Sequence, residues 1–142
     1  MEQSALFANL AATLFMTGVI WFVQLVHYPL FAYYRDDAFA VHAQRTAYVV
    51  AVPMLVEAFT ALLLLVERPT NSALWVGLLL VGAIWLSTNF LQIPMHAKLE
   101  SGFDLMAQQR LVQTNWIRTV AWSARSALML WAVATNDLHR SQ

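Results

Sequence analysis

No formally charged residue stands between Glu2 and Arg35, nor between Arg68 and Lys98. Each run is longer than the roughly 20 residues that a helix needs to cross a hydrocarbon core of about 30 Å. Two further stretches complete the pattern, since 46–66 carries only Glu57 and 111–136 only Arg118 and Arg125. A backbone in lipid must satisfy its own hydrogen bonds, so such runs are helical. The expectation is an all-α chain, an integral membrane four-helix up-down-up-down bundle. It forms a single transmembrane domain over 1–142, with helices at about 5–33, 46–66, 73–97 and 111–134.

Composition agrees: 60% of the residues are hydrophobic and only 11% are charged, too apolar for a soluble domain of 142 residues. The lipid bilayer is the one partner this demands. A net charge of +0 offers no basic patch for phosphates and argues against nucleic acid. With no cysteine, disulfides, thiolate metal sites and a cysteine nucleophile are excluded. The first run reads as a retained helix, because it is too long for a cleaved signal sequence and opens on Glu2 instead of a basic residue. The stretches "RDDAFAVHAQR" and "KLESGFDLMAQQR" read as the longer connections and "ERPTNS" as a short turn. Arg35, Arg45, Lys98 and Arg110 on the longer connections, against Arg68 and Arg140, place those loops on the cytoplasmic side.

Within the apolar runs, polar residues recur at helical spacing. Trp85, Asn89, Gln92 and His96 share one face of the third helix, and Asn115, Arg118, Trp122 and Arg125 one face of the fourth. Gln24, His27 and Tyr28 lie together on the first, and Thr46, Pro53, Glu57 and Thr60 on the second. Lipid satisfies none of these groups, so the stripes are expected to face one another. By depth they converge in one half of the bundle, under the longer loops, with 6–20, 62–66, 74–84 and 127–133 as a packed apolar floor. Pro29, Pro53 and Pro94 fall beside the stripes, where each frees a backbone carbonyl and bends its helix.

The expected pocket holds two arginines against one carboxylate, so it suits an anionic guest: a carboxylate, an enolate, a lipid headgroup or a haem propionate. His96, Glu57, Arg118, Asn115 and His27 are the catalytic candidates, and Gln24, Tyr28, Asn89, Gln92, Trp122 and Arg125 the substrate-binding ones. His27, His96 and Glu57, with His42 from the loop as a further candidate, form an N/O set for a transition metal, and His27 with His96 could ligate a haem. Structural alternatives stand beside each. Arg125 pairs with Glu57 or snorkels, Arg118 anchors at the interface, Trp116 and Tyr28 belong to an aromatic belt, and His42 and His139 are solvated.

The segments "IPMHAKL" and "TNWIRT" resemble a pattern in small four-helix bacterial membrane proteins related to the anthrone oxygenases of aromatic polyketide biosynthesis. Pro94, Asn115 and Arg118 are the matching positions. His96 stands where that pattern has asparagine, and "VHYP", Glu57 and "WSAR" are additions. The resemblance implies a bacterial inner-membrane location and an oxygenase-like oxidoreductase acting on a flat, acidic, hydrophobic molecule. A base would take a proton from carbon, Arg118 and Asn115 would hold the oxyanion, and dioxygen would arrive from lipid. Two other classes remain: non-catalytic binding or transport of a haem, metal or amphiphilic anion, for which a path requires a homo-oligomer, and a structural bundle glued by its polar stripes.

Overall fold

The computed structural model describes residues 2–33 and 36–134, which form four helices and no strand. Helix α1 occupies 2–33, α2 Asp36–Glu67, α3 Ser72–Glu100 and α4 Leu105–Ala134. By length and composition three of them can cross a membrane: Gln3–Tyr33, Val41–Glu67 and Ser72–Glu100. The fourth differs from the expectation of four spans. It is long enough, but Gln108, Gln109, Gln113, Asn115, Arg118 and Arg125 lower its hydropathy.

The helices begin earlier or end later than the hydropathy runs. The stretch expected as a polar connection after Arg35 belongs to α2, where Phe39, His42 and Thr46 recur at helical spacing and Phe39 is buried against Phe31, their ring centroids 4.8 Å apart. Helix α3 continues to Glu100 because Leu99 is buried. It stops at Gly102, whose φ of 145° is open to glycine but not to residues with a Cβ. Helix α4 starts at Leu105, six residues before the apolar run, because Asp104 Oδ1 accepts from Met106 N at 2.8 Å and Ala107 N at 3.2 Å. Asn71 caps α3 in the same way, accepting from Ala73 N at 2.9 Å.

Two helices contain a wide π turn that ends two residues before a proline: Val23–His27 before Pro29, and Thr88–Gln92 before Pro94. The N–H groups of Tyr28 and Ile93 reach back to the carbonyls of Val23 and Thr88, five residues earlier. The extra residue in the turn relieves the clash that proline causes in a regular helix. Pro53 sits inside α2 without such a turn.

Polarity is inverted relative to a water-soluble protein. Phe7, Phe22, Leu25, Phe59, Leu79 and Phe90 face outward, while Asn9, Thr13, Gln24, Glu57, Asn115, Thr119 and Arg125 are buried. One apolar cluster, including Met16, Ile20, Phe31, Phe39, Ile84, Leu111 and Trp122, surrounds the polar interior. A second, of Leu6, Leu64, Leu65, Leu74, Met129 and Ala132, closes the opposite end. Asn9 contacts Thr60 while His27 contacts His42, so α1 and α2 run past each other in opposite directions.

Candidate functional site

The polar residues divide into two layers. The deeper one ties all four helices together through Glu57. Its Oε1 accepts from Thr13 Oγ1 at 2.7 Å and from Arg125 Nε at 2.8 Å, and its Oε2 accepts from Trp122 Nε1 at 2.9 Å. Arg125 also donates through Nη1 to the Gly77 carbonyl at 2.6 Å and through Nη2 to Asn9 Oδ1 at 2.9 Å. Asn9 Nδ2 in turn donates to the Glu57 carbonyl and to Thr60 Oγ1. Both charges are buried and matched, and the space beside Arg125 amounts to about 10 Å³, no more than one water. Glu57, Trp122 and Arg125, read from the sequence as site residues, thus lie in a closed network away from any roomy cavity.

That network also occupies what the sequence suggested would be an apolar floor. Asn9 and Thr13 enter it from α1, and Thr17 bonds to Ser126 of α4 at 2.7 Å. These α1 residues were missed, although their spacing of four is itself a helical stripe.

The second layer lies nearer the α1–α2 and α3–α4 connections, which are no longer than the α2–α3 turn because the helices extend into the stretches expected as loops, and it opens to the outside. A cleft of about 870 Å³ runs between the first half of α2 and the second half of α3, with Val50, Met54 and Ile93 among its apolar walls. Tyr28, His96 and Arg118 form its polar floor. Arg118 Nη2 donates to Tyr28 Oη at 3.0 Å, and Tyr28 Oη lies 3.1 Å from His96 Nε2. Asn115 Oδ1 accepts from both Nε and Nη2 of Arg118 and so fixes the plane of the guanidinium. Asn115 Nδ2 donates to Gln24 Oε1 at 2.8 Å, and Gln24 Nε2 to the Val112 carbonyl at 3.2 Å. Gln24 and Asn115 are therefore supports behind the cleft.

Arg118 is 8% exposed, and no carboxylate among the described residues pairs with it. Its Nη1 reaches only Thr88 Oγ1, at 3.5 Å, so of five N–H donors one is left without an acceptor and one is weakly engaged. Glu57 neutralises Arg125, which leaves Arg118 as the surplus positive charge of the interior.

The remaining candidates are dispersed. Asn89 lines the cleft but turns its amide to the Trp85 carbonyl, 2.8 Å away, and is exposed. Gln92 is buried on the α4 side of α3, where Nε2 donates to Thr114 Oγ1 at 2.9 Å and Oε1 has no protein partner among the described residues. His27 contacts His42 through their Nε2 atoms, and His42 also meets Thr46 Oγ1 at 3.1 Å, so His42 is part-buried and engaged where the sequence suggested a solvated residue. Phe31 packs against both His27 and His96, with ring centroids 5.2 and 6.1 Å away.

For a metal, His27, His96 and Glu57 do not converge. His27 is held at His42, His96 at Tyr28 and Glu57 at Arg125, and among the described residues no group of three or more His, Cys, Asp or Glu side chains could hold an ion. His139 lies outside the described residues. No protein-family model, curated protein or solved structure matches the chain.

Proposed function

We propose that the chain is an integral membrane up-down-up-down bundle that takes the acidic end of a hydrophobic small molecule into the cleft between α2 and α3. Arg118 carries this reading, as a buried guanidinium with spare donors and no carboxylate partner at the floor of an apolar cleft. Holding a lone cation at membrane depth costs at least about 2.5–3.5 kcal/mol on insertion scales, and an anionic ligand offsets that cost. The neighbouring apolar walls favour a ligand whose body partitions into lipid. A bacterial inner-membrane location with the α1–α2 and α3–α4 connections cytoplasmic belongs to the same proposal.

The test is binding of 2-naphthoate and of its neutral amide to detergent-purified protein, beside Arg118→Met. A charge-assisted hydrogen bond contributes about 1.5–3 kcal/mol, so the acid should bind roughly 10- to 100-fold tighter than the amide, and Arg118→Met should erase the difference. Equal affinity for acid and amide in the unsubstituted protein would remove the basis of the reading.

A second, enzymatic reading rests on one further contact, the phenol of Tyr28 set between His96 Nε2 and Arg118 Nη2. His96 can accept a proton from an acidic carbon of a bound ligand, and Arg118 with Tyr28 can stabilise the oxyanion that results. With dioxygen supplied from lipid this becomes the oxygenase-like chemistry suggested by "IPMHAKL" and "TNWIRT". Oxygen uptake with an anthrone, abolished in His96→Gln while binding persists, would distinguish catalysis from binding alone.

A further inference from the structure

A second groove, of about 630 Å³, lies on the opposite side of α2, between it and α1. Gly18 and Phe22 line one wall, Val49 the other, and His27, Arg45 and Thr46 gather at the end nearer the α1–α2 connection. From Leu14 to His27 the groove follows α1 for about 20 Å, against about 15 Å for one leaflet of the hydrocarbon core. The groove is open at Gly18, where a Cβ would meet nothing within 4 Å. Arg45 is exposed, four residues into the span Val41–Glu67, and among the described residues it has no carboxylate partner.

We propose that this groove holds one acyl chain of an anionic phospholipid, with the headgroup phosphate against Arg45. Three features select that occupant. The lining is apolar along its length and cationic at one end only. The length suits a chain from a single leaflet. The basic end lies on the side where the charge count places the cytoplasm, the leaflet to which anionic lipid attracts basic side chains. The site is separate from the α2–α3 cleft, with which it shares only Thr46 and Val50 as wall residues. It does not depend on what the cleft binds.

The experiment is native mass spectrometry of the detergent-purified full chain, titrated with phosphatidylglycerol or phosphatidylcholine of the same acyl composition. Phosphatidylglycerol should be retained in preference. Arg45→Gln should weaken its retention about fivefold, the usual worth of one basic side chain at a lipid surface. Gly18→Phe should abolish retention by filling the groove, without loss of thermal stability because the space is open. Arg118→Met should retain the lipid unchanged. Equal retention of the two lipids would overturn the proposal. So would wild-type retention in Gly18→Phe, or a lipid-free dimer that Gly18→Phe dissociates, since a second copy would then be the occupant.

Discussion

Glu57 of α2 and Arg125 of α4 meet through Oε1 and Nε at 2.8 Å, with 1% and 2% of their side chains exposed. Oε1 also accepts from Thr13, and every remaining polar atom of the pair has a protein partner, Trp122 on the acid and Gly77 and Asn9 on the base. A pair this enclosed is defined less by its net stabilisation than by the penalty for breaking it, because either partner alone becomes an uncompensated buried charge. Glu57→Gln and Arg125→Met should therefore each destabilise by about 3–5 kcal/mol. The double variant Glu57→Gln with Arg125→Met should recover much of that loss. Thermal unfolding of the four proteins in one detergent closes the cycle, and additive losses would show that the two residues act independently.

Gly77 and Gly18 provide a matched contrast. A Cβ at Gly77 would stand 2.8 Å from Arg125 Nη1, whereas one at Gly18 meets open space. Gly77→Ala must displace the guanidinium from the Gly77 carbonyl and should cost about 1–3 kcal/mol, the range for overpacking. Gly18→Ala should be neutral or stabilising by up to about 1 kcal/mol, since alanine is the better helix former. Melting temperatures that ranked the two in the opposite order would contradict the assigned position of Arg125.

The sequence carried the helical class and most of the inward-facing polar stripes, because a run without charges and a repeat of three and four are both local signals. Helix ends were less legible. Phe39 and Leu99 extend α2 and α3 because both are buried in an apolar cluster drawn from all four helices, which an average of hydropathy along one segment does not register. The pairing of charges was not legible either. Arg118 and Arg125 share a face two turns apart, and only depth, about 10 Å along the axis, decides which of them meets Glu57. Asn9 and Thr13 lie in a segment whose apolar average hides them, and their part in the Glu57 network follows from α1 passing α2 in the opposite direction.

Asn115 should act on ligand affinity through Arg118. Its Oδ1 accepts two N–H groups of that guanidinium, and its own amide is anchored on Gln24. Asn115→Ala leaves those donors without their acceptor and frees the side chain to turn, so binding of 2-naphthoate should weaken by about 1–3 kcal/mol. Asn115→Asp supplies the acceptor again but places a carboxylate beside Arg118. It should hold the Arg118 guanidinium again while abolishing the preference for the acid over its amide, an outcome that a merely structural asparagine would not produce.

The walls of the cleft allow a test that leaves its charges untouched. Ala47 and Ala51 lie one turn apart on α2, line the α2–α3 cleft and are exposed. Ala51→Phe adds a ring where no packed side chain must move, so stability should change by no more than about 0.5 kcal/mol. The same ring takes up a substantial part of the space available to a ligand body, and 2-naphthoate binding should fall at least as far as in Arg118→Met. Because Ala51→Phe keeps Arg118, Tyr28 and His96 intact, loss of binding there places the ligand in the cleft and not merely near the guanidinium. Undiminished binding would move the acid-binding site to another part of the bundle.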